Sequence, residues 1–211
     1  MPMATLDELE EDEYQLTPHG RPPGYSSQTV LRFGGLAVNA LLDTGATCSA
    51  MPEEVAISII SYAQKRIEEG TLTVDSKTYP ITLLHKFVRK ARVDGVSAKS
   101  PIAIQYALVL KAEFVPHGAQ SGPVQDLYFQ IFPKGACSVP GVIVGFPVLD
   151  CQPFGLGWTI HPTVHTFQAL GVSLPRLELG RRAEYRAARK RFISEAPDPE
   201  AFREQADTAN L

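Results

Sequence analysis

Short runs of alternating apolar and polar residues cover most of the chain, which is the pattern of β-strands. The first two runs, at 30–33 and 36–42, flank the pair Gly34-Gly35 and predict a hairpin. Turn residues such as Gly, Pro, Asp and Ser separate the later runs. These later strands are predicted at 71–74, 81–84, 87–93, 102–114 and 127–132. The pattern therefore predicts a mainly β domain.

A helix interrupts the strands. Pro52 suits the first turn of a helix, and the acids Glu53 and Glu54 suit its positive amino end. Apolar residues at Val55 and at later helical positions mark a buried stripe, and Gly70 ends the pattern. We therefore expect one helix between residues 52 and 70.

Two later segments complete the predicted domain. Val142-Ile143-Val144-Gly145 is a continuous apolar run, typical of a strand buried on both faces, and a helical turn is expected after it. Residues 158–167 predict two strands joined at Pro162. Beyond residue 175 the composition shifts to Arg, Glu and Ala, with helical spacing between Tyr185 and Phe192. We expect C-terminal helices there, the first of them basic.

Composition supports one globular domain with two extensions. The chain has 211 residues, 44% hydrophobic, and we place the domain at 25–175. Residues 1–24, called here the acidic leader, hold six acids and no Lys or Arg before Arg21, so we expect disorder. Residues 176–211 are expected to form a basic helical extension. Its basic face is interpreted as solvated, with contact to nucleic acid or a neighbouring domain as the alternative.

Charge and hydropathy exclude several classes of function. The net charge of -3 and the pI near 6.0 provide no general basic surface, so nucleic-acid binding is not expected. No apolar run is long enough to cross a bilayer, and the amino terminus lacks a secretory signal pattern. We therefore expect a soluble intracellular, cytoplasmic protein with no membrane partner.

No metal or cofactor site is predicted. Cys48, Cys137 and Cys151 cannot all pair and are interpreted as free thiols. His161 and His165 are four residues apart, but Pro162 between them argues against a shared helix face. The sequence holds no phosphate loop and no Gly-x-Ser-x-Gly nucleophile motif. We expect no cofactor.

The most informative stretch is Asp43-Thr44-Gly45-Ala46, which follows the apolar run at 36–42. An apolar strand that ends on an acid, a small hydroxyl residue and a glycine places a carboxylate in a tight loop. An isolated Asp-Thr-Gly is also common as an ordinary turn, in which the Asp accepts backbone hydrogen bonds and the Gly adopts a positive φ. The second apolar motif at 142–145 favours the catalytic interpretation.

Together the two motifs resemble those of the retropepsin-like aspartic peptidases of retroviruses and retrotransposons, over roughly residues 28–170. The resemblance implies a retropepsin-like closed β-barrel and makes Asp43 the catalytic acid. It further implies that Thr44 bonds across a dimer interface, that Gly45 lets the backbone approach the carboxylate, and that Ala46 contacts substrate.

The same resemblance assigns roles to residues outside the acid loop. Val144 and Gly145 would support that loop from behind. A β-hairpin flap would cover the substrate, and the turn Asp94-Gly95 is its best candidate. Many retroviral members carry an ion pair where this chain has Thr47 and Phe146, so the chain looks nearer to retrotransposon or cellular members.

The chain has a single Asp-Thr-Gly, so a second catalytic carboxylate has to come from another copy. The sequence therefore predicts a homodimeric aspartic endopeptidase that activates a water between two Asp43 side chains. Its partner would be a polypeptide substrate, including its own polyprotein if it comes from a retroelement. The alternative is an inactive module of the same fold that binds peptides or dimerises.

Overall fold

The computed structural model describes residues 27–93, 102–136, 141–150 and 155–177. The described strands are β1 (Gln28–Phe33), β2 (Leu36–Asp43), β3 (Ala50–Pro52), β4 (Ile81–Val93), β5 (Ile102–Glu113), β6 (Val124–Phe132), β7 (Val142–Gly145), β8 (Trp158–Ile160), β9 (Val164–Phe167) and β10 (Val172–Pro175). The helices are α1 (Glu53–Glu68), α2 (Phe146–Leu149) and a single 3-10 turn (Gln168–Leu170).

Seven strands form a mixed sheet in the order β1-β2-β7-β3-β6-β5-β4. A further contact between β1 and β5, at Arg32 and Glu113, closes the first six of these strands into a barrel. β4 lies outside the closed ring, and β5 is its only partner among the described strands. The prediction of a mainly β fold with a closed barrel and a helix after the acid loop is confirmed.

Alternate residues of the strands fill the barrel. On β1, Leu31 and Phe33 are fully buried, and the ring of Phe33 meets that of Phe129 edge to face at 6.0 Å. α1 adds its apolar stripe to the same core through Val55 and Ile59. Each fully buried side chain of this size stabilises the fold by roughly 1.5–3 kcal/mol. The closed barrel is thus a rigid platform for the loops at its ends.

Most predicted elements are confirmed. The first hairpin turns at Gly34 and Gly35, which both have positive φ, and α1 begins one residue after Pro52. The two strands at 158–167 and the helical turn after Gly145 are also present. The strands predicted at 81–84 and 87–93 are one strand, β4, whose register with β5 shifts between Lys86 and Ala91.

The prediction of a strand at 71–74 is wrong. The backbone N–H groups of Thr71 and Leu72 both donate to the carbonyl of Arg66, and the Arg66 side chain donates to the carbonyls of Thr71 and Gly34. This segment therefore wraps around the end of α1 and completes the helix terminus instead of pairing with a strand. The short strands β3 and β10 were not predicted.

A second, three-stranded sheet of order β10-β9-β8 packs beside β1. The Thr29 hydroxyl donates to the Pro175 carbonyl at 2.9 Å, and the Leu177 N–H donates to the Gln28 carbonyl at 3.0 Å. His165, which is completely buried, adds a third link. The C-terminal strands are therefore fastened to the first strand of the barrel.

Several expectations fall outside the described residues. These are the acidic leader, the flap turn Asp94-Gly95, Cys137 and Cys151, and the helices of the C-terminal extension. Within the described ranges, no helix combines the length and the apolar character that crossing a membrane requires.

His165 makes the stability of the fold depend on pH. Trp158 Nε1–H donates to His165 Nδ1 at 3.1 Å, so the neutral ring donates from Nε2 to the Gln28 carbonyl at 3.3 Å. Burial lowers the pKa of His165 to about 4, although the Gln28 bond opposes this and the Arg176 charge adds to it. The unfolded chain, with an ordinary pKa near 6.5, binds this proton first as the pH falls.

We predict that the free energy of unfolding decreases between about pH 6.5 and about pH 4, with a His165 contribution of about 3 kcal/mol. Urea denaturation across this range measures it. His165→Gln should be less stable at pH 7 and should lose less stability on acidification. His161→Gln, an exposed control, should follow the wild type. Equal pH slopes in wild type and His165→Gln would contradict the assignment.

Candidate active site

Asp43 is the last residue of β2, and the chain turns immediately after it. Its Oδ1 accepts the Gly45 N–H at 2.8 Å, and its carbonyl accepts the Ala46 N–H at 3.2 Å. Gly45 does not have a positive φ, unlike the glycine of the ordinary turn. A Cβ placed on Gly45 would lie 3.2 Å from Asp43 Oδ1, a tight contact that would displace the carboxylate by a few tenths of an ångström.

β7 lies directly behind this acid loop, which comprises residues 43–49. The strand runs parallel to β2, with Gly145 opposite Asp43, and antiparallel to β3, with Ile143 opposite Ala50. It therefore separates the strand that enters the loop from the strand that leaves it. The loop is held on both sides by the same neighbour.

Backbone and side-chain hydrogen bonds fasten the loop to β7. The Gly145 N–H donates to the buried Ser49 Oγ at 3.0 Å, and the Phe146 N–H donates to the Ala46 carbonyl at 2.8 Å. A Cβ on Gly145 would lie 2.4 Å from the carbonyl oxygen of Cys48 and 2.9 Å from that of Ala46. Because both contacts are to backbone, only glycine fits at this position without moving the loop.

The loop presents its tip to solvent. Asp43 and Ala46 are half-buried, whereas Thr44 and Gly45 are exposed. Within the described ranges the Thr44 hydroxyl makes no hydrogen bond. A half-buried carboxylate with an exposed hydroxyl beside it is accessible both to a peptide and to a second protein chain.

An apolar cluster extends from the acid loop towards the β4–β5 hairpin. Ala46 and Leu41 pack against it from the loop side, and Phe87 and Val93 of β4 pack against it from the hairpin side. Its buried members are Ala50, Ile102, Ile104, Phe132 and Ile143. The hairpin that the sequence predicts as a flap therefore shares one apolar wall with the acid loop.

The structure brings most of the sequence-predicted site residues together. Asp43, Thr44, Gly45 and Ala46 form one loop, and Val144 and Gly145 lie on the strand behind it. Asp94 and Gly95 follow directly after β4, outside the described residues, so their positions stay predictions. Thr47 and Phe146 are both exposed.

Sequence reasoning missed Ser49. Its hydroxyl is one of few buried polar groups of the described chain, and it holds the β7 backbone at the point nearest the acid. In the sequence it is one small residue between Cys48 and Ala50, with no pattern that distinguishes it. Only the crossing of β7 behind the loop reveals its role.

Cys48 lies in the acid loop without being poised as a nucleophile. Burial raises the pKa of its thiol, and the thiol contacts Gln130 Oε1 at 3.6 Å. A raised pKa leaves less of the reactive thiolate at neutral pH. In the described part of the chain, no group of three His, Cys, Asp or Glu side chains is placed to hold a metal ion.

No protein-family model matches the chain. No curated protein matches it significantly. Among solved structures, the chain is similar to the retroviral protease-like domain of Ddi1 from Leishmania major, with 14% identity and a TM-score of 0.44 over 74% of this chain and 96% of that one. It is also similar to a retropepsin-like aspartic protease from Rickettsia conorii, with 11% identity and a TM-score of 0.32 over 70% of this chain and 90% of that one. These two likenesses assign no activity and no residue role to the present chain.

Removing the Ser49 hydroxyl tests how the loop is fastened. Ser49→Ala leaves the buried Gly145 N–H without its acceptor, so we predict a loss of about 1–3 kcal/mol in the free energy of unfolding. Ser121→Ala, at an exposed position, should change the same quantity by less than about 0.5 kcal/mol. Urea denaturation at pH 7 measures both. Equal effects of the two substitutions would show that the Ser49 bond does not hold the loop.

Proposed function

We propose that this protein is an aspartic endopeptidase whose active site is assembled from the Asp43 side chains of two identical chains. The observation that carries the proposal is the acid loop itself. Its carboxylate lies half-buried at the end of β2 and accepts the Gly45 N–H. β7 supports the loop from behind, and its close approach requires glycine at position 145.

This hydrolysis needs a general base and a general acid at the same time. A single carboxylate cannot fill both roles at once. When two carboxylates lie a few ångströms apart, their mutual repulsion makes them share one proton, and the pair titrates as a unit. The ionised member takes a proton from a water, whose oxygen attacks the peptide carbonyl, while the protonated member donates to the carbonyl oxygen. The resulting tetrahedral diol then collapses as the amide nitrogen receives a proton and leaves.

The second carboxylate would come from another copy of the chain. Asp43-Thr44-Gly45 occurs once in the sequence, and its exposed tip is free to meet an identical tip across a twofold axis. In such an arrangement the Thr44 hydroxyl, which has no partner among the described residues, would bond the opposite loop. The catalytic unit would be residues 25–175, with the acidic leader and the C-terminal extension outside it.

The substrate would be an extended polypeptide. The apolar wall beside Ala46 suits the apolar side chains of a peptide strand, and the hairpin of β4 and β5, with Asp94-Gly95 at its turn, would cover that strand. The exposed Thr47 and Phe146 remove the retroviral ion pair and favour an enzyme of the retrotransposon or cellular kind. If the chain belongs to a retroelement, its own polyprotein is the expected substrate.

Replacing the acid tests the catalytic role. We predict that the wild type hydrolyses an unfolded protein between pH 4 and pH 7, with inhibition by a pepstatin-type compound. Asp43→Asn should reduce kcat/KM by at least about 10²-fold, because the asparagine can neither accept nor donate the catalytic proton. Asp75→Asn, a matched control in which Asp75-Ser76 lacks the following glycine, should leave activity unchanged.

Both candidate functions allow a dimer, so sedimentation of the same samples separates them only together with the cleavage assay. A wild type that forms dimers and binds a peptide without cleaving it would identify the inactive peptide-binding module instead. Cleavage that persists in Asp43→Asn would exclude Asp43 as the catalytic acid.

A further inference from the structure

The outermost strand of the sheet, β4, leaves one edge unpaired within the described ranges. It pairs with β5 on one side, and no described strand covers the other. An unpaired edge presents backbone N–H and C=O groups that can bind an extended segment as an additional strand. β4 has 13 residues, but its register with β5 shifts between Lys86 and Ala91, so the regular stretches available to such a segment are 83–86 and 91–93.

The same strand is strongly basic. Residues 81–93 contain no Asp or Glu, and they contain His85, Lys86, Arg89, Lys90 and Arg92. The side chains of Arg89 and Arg92 are exposed and form no hydrogen bond or ion pair with any described residue. The half of β4 nearest the hairpin turn therefore carries positive charge that the described fold does not neutralise.

The carboxylates of the neighbouring strands lie at the other end of this sheet. Glu113 is the last residue of β5, where its Oε1 accepts the Gly122 N–H. Asp126 on β6 faces Lys111, and its Oδ1 accepts the Thr82 hydroxyl near the start of β4. Both acids therefore already accept hydrogen bonds, and they lie at the end of the sheet opposite to Arg89 and Arg92. A carboxylate partner for Arg89 and Arg92 would therefore come from a segment outside the described sheet.

The acidic leader supplies that complement. Its acids are Asp7, Glu8, Glu10, Glu11, Asp12 and Glu13. The chain enters the described domain at Ser27, whose carbonyl accepts the Leu42 N–H at 2.9 Å, directly beside Asp43. The 13 residues between Glu13 and Ser27 can span up to about 45 Å. Leu41, which pairs with Gln28 beside this entry point, packs against the same apolar cluster as Phe87 and Val93 of β4, so the acids lie within reach of that strand.

We propose that the outer edge of β4 is a docking site for the acidic leader of the same chain, with residues 7–13 added as a strand beside Arg89 and Arg92. Backbone pairing gives the segment its register, and charge attraction selects it over neutral segments. This docking does not depend on whether the chain cleaves peptides. Because its attraction acts between exposed charges, it weakens as salt increases.

Hydrogen exchange on the full-length chain tests the docking. The comparison is between the wild type and a neutralised leader that carries D7N, E8Q, E10Q, E11Q, D12N and E13Q. We predict that amides of residues 81–93 exchange about tenfold or more slowly in the wild type at low salt. The difference should vanish near 1 M salt, where the screening length falls to about 3 Å. Equal exchange in the two chains at low salt would overturn the proposal.

Matched substitutions test the basic side of the contact. R89S combined with R92S should remove the protection while the leader stays intact. K65S combined with K77S, at exposed positions outside β4, should leave it unchanged. An equal loss of protection in this control pair would show that protection depends on the overall charge of the protein. It would overturn the assignment of the docking site to β4.

Two further outcomes test the identity of the occupant. A synthetic peptide of residues 5–15 should restore protection to the chain with the neutralised leader, and a scrambled peptide of equal composition should restore it less. Equal restoration by both peptides would overturn the assignment to the leader.

Wild-type protection should not change on dilution, because the contact is within one chain. Loss of protection on dilution would assign the occupant to a second copy and likewise overturn it.

Discussion

The close backbone contact between Gly145 and the acid loop is the constraint on which the candidate site depends. A strand threaded between β2 and β3 brings its backbone so near the carbonyls of Cys48 and Ala46 that no side chain fits. The Ser49 hydroxyl satisfies the N–H of that glycine inside the fold. The loop is thus fixed at its base and exposed at its tip, so the carboxylate of Asp43 is positioned without being covered.

The same region is tied to the C-terminal sheet by a short series of hydrogen bonds. Trp158 donates to His165, His165 contacts the carbonyl of Gln28, and the adjacent Ser27 carbonyl accepts the N–H of Leu42, one residue before the acid. Protonation of His165 would remove the first of these bonds. Acidification from about pH 6.5 to about pH 4 therefore lowers the stability of the fold that supports the acid loop.

Elements with strong local signals could be predicted from the sequence. The hairpin at Gly34-Gly35 follows from residues that tolerate positive φ, and α1 follows from Pro52, the acids after it and a periodic apolar face. The segment 71–74 could not be assigned correctly. The side chain of Arg66, five residues before Thr71, holds it by a hydrogen bond to the Thr71 carbonyl, and no local pattern in the sequence indicates this bond. The short strands β3 and β10 carry too few residues to show a period. The position of the acid loop after β2, with a second apolar strand behind it, could be predicted from two motifs, whereas the role of Ser49 depends on the sheet order, which no local pattern specifies.

The catalytic account rests on the claim that each active site contains one Asp43 from each of two chains. A dimer of one wild-type chain and one Asp43→Asn chain, purified by two different affinity tags, tests this claim most directly. A shared site leaves no complete carboxylate pair in such a dimer, so its activity should fall to the background of the doubly substituted protein. Activity near half that of a doubly tagged wild-type dimer would mean that each chain holds its own complete site, and would contradict the account.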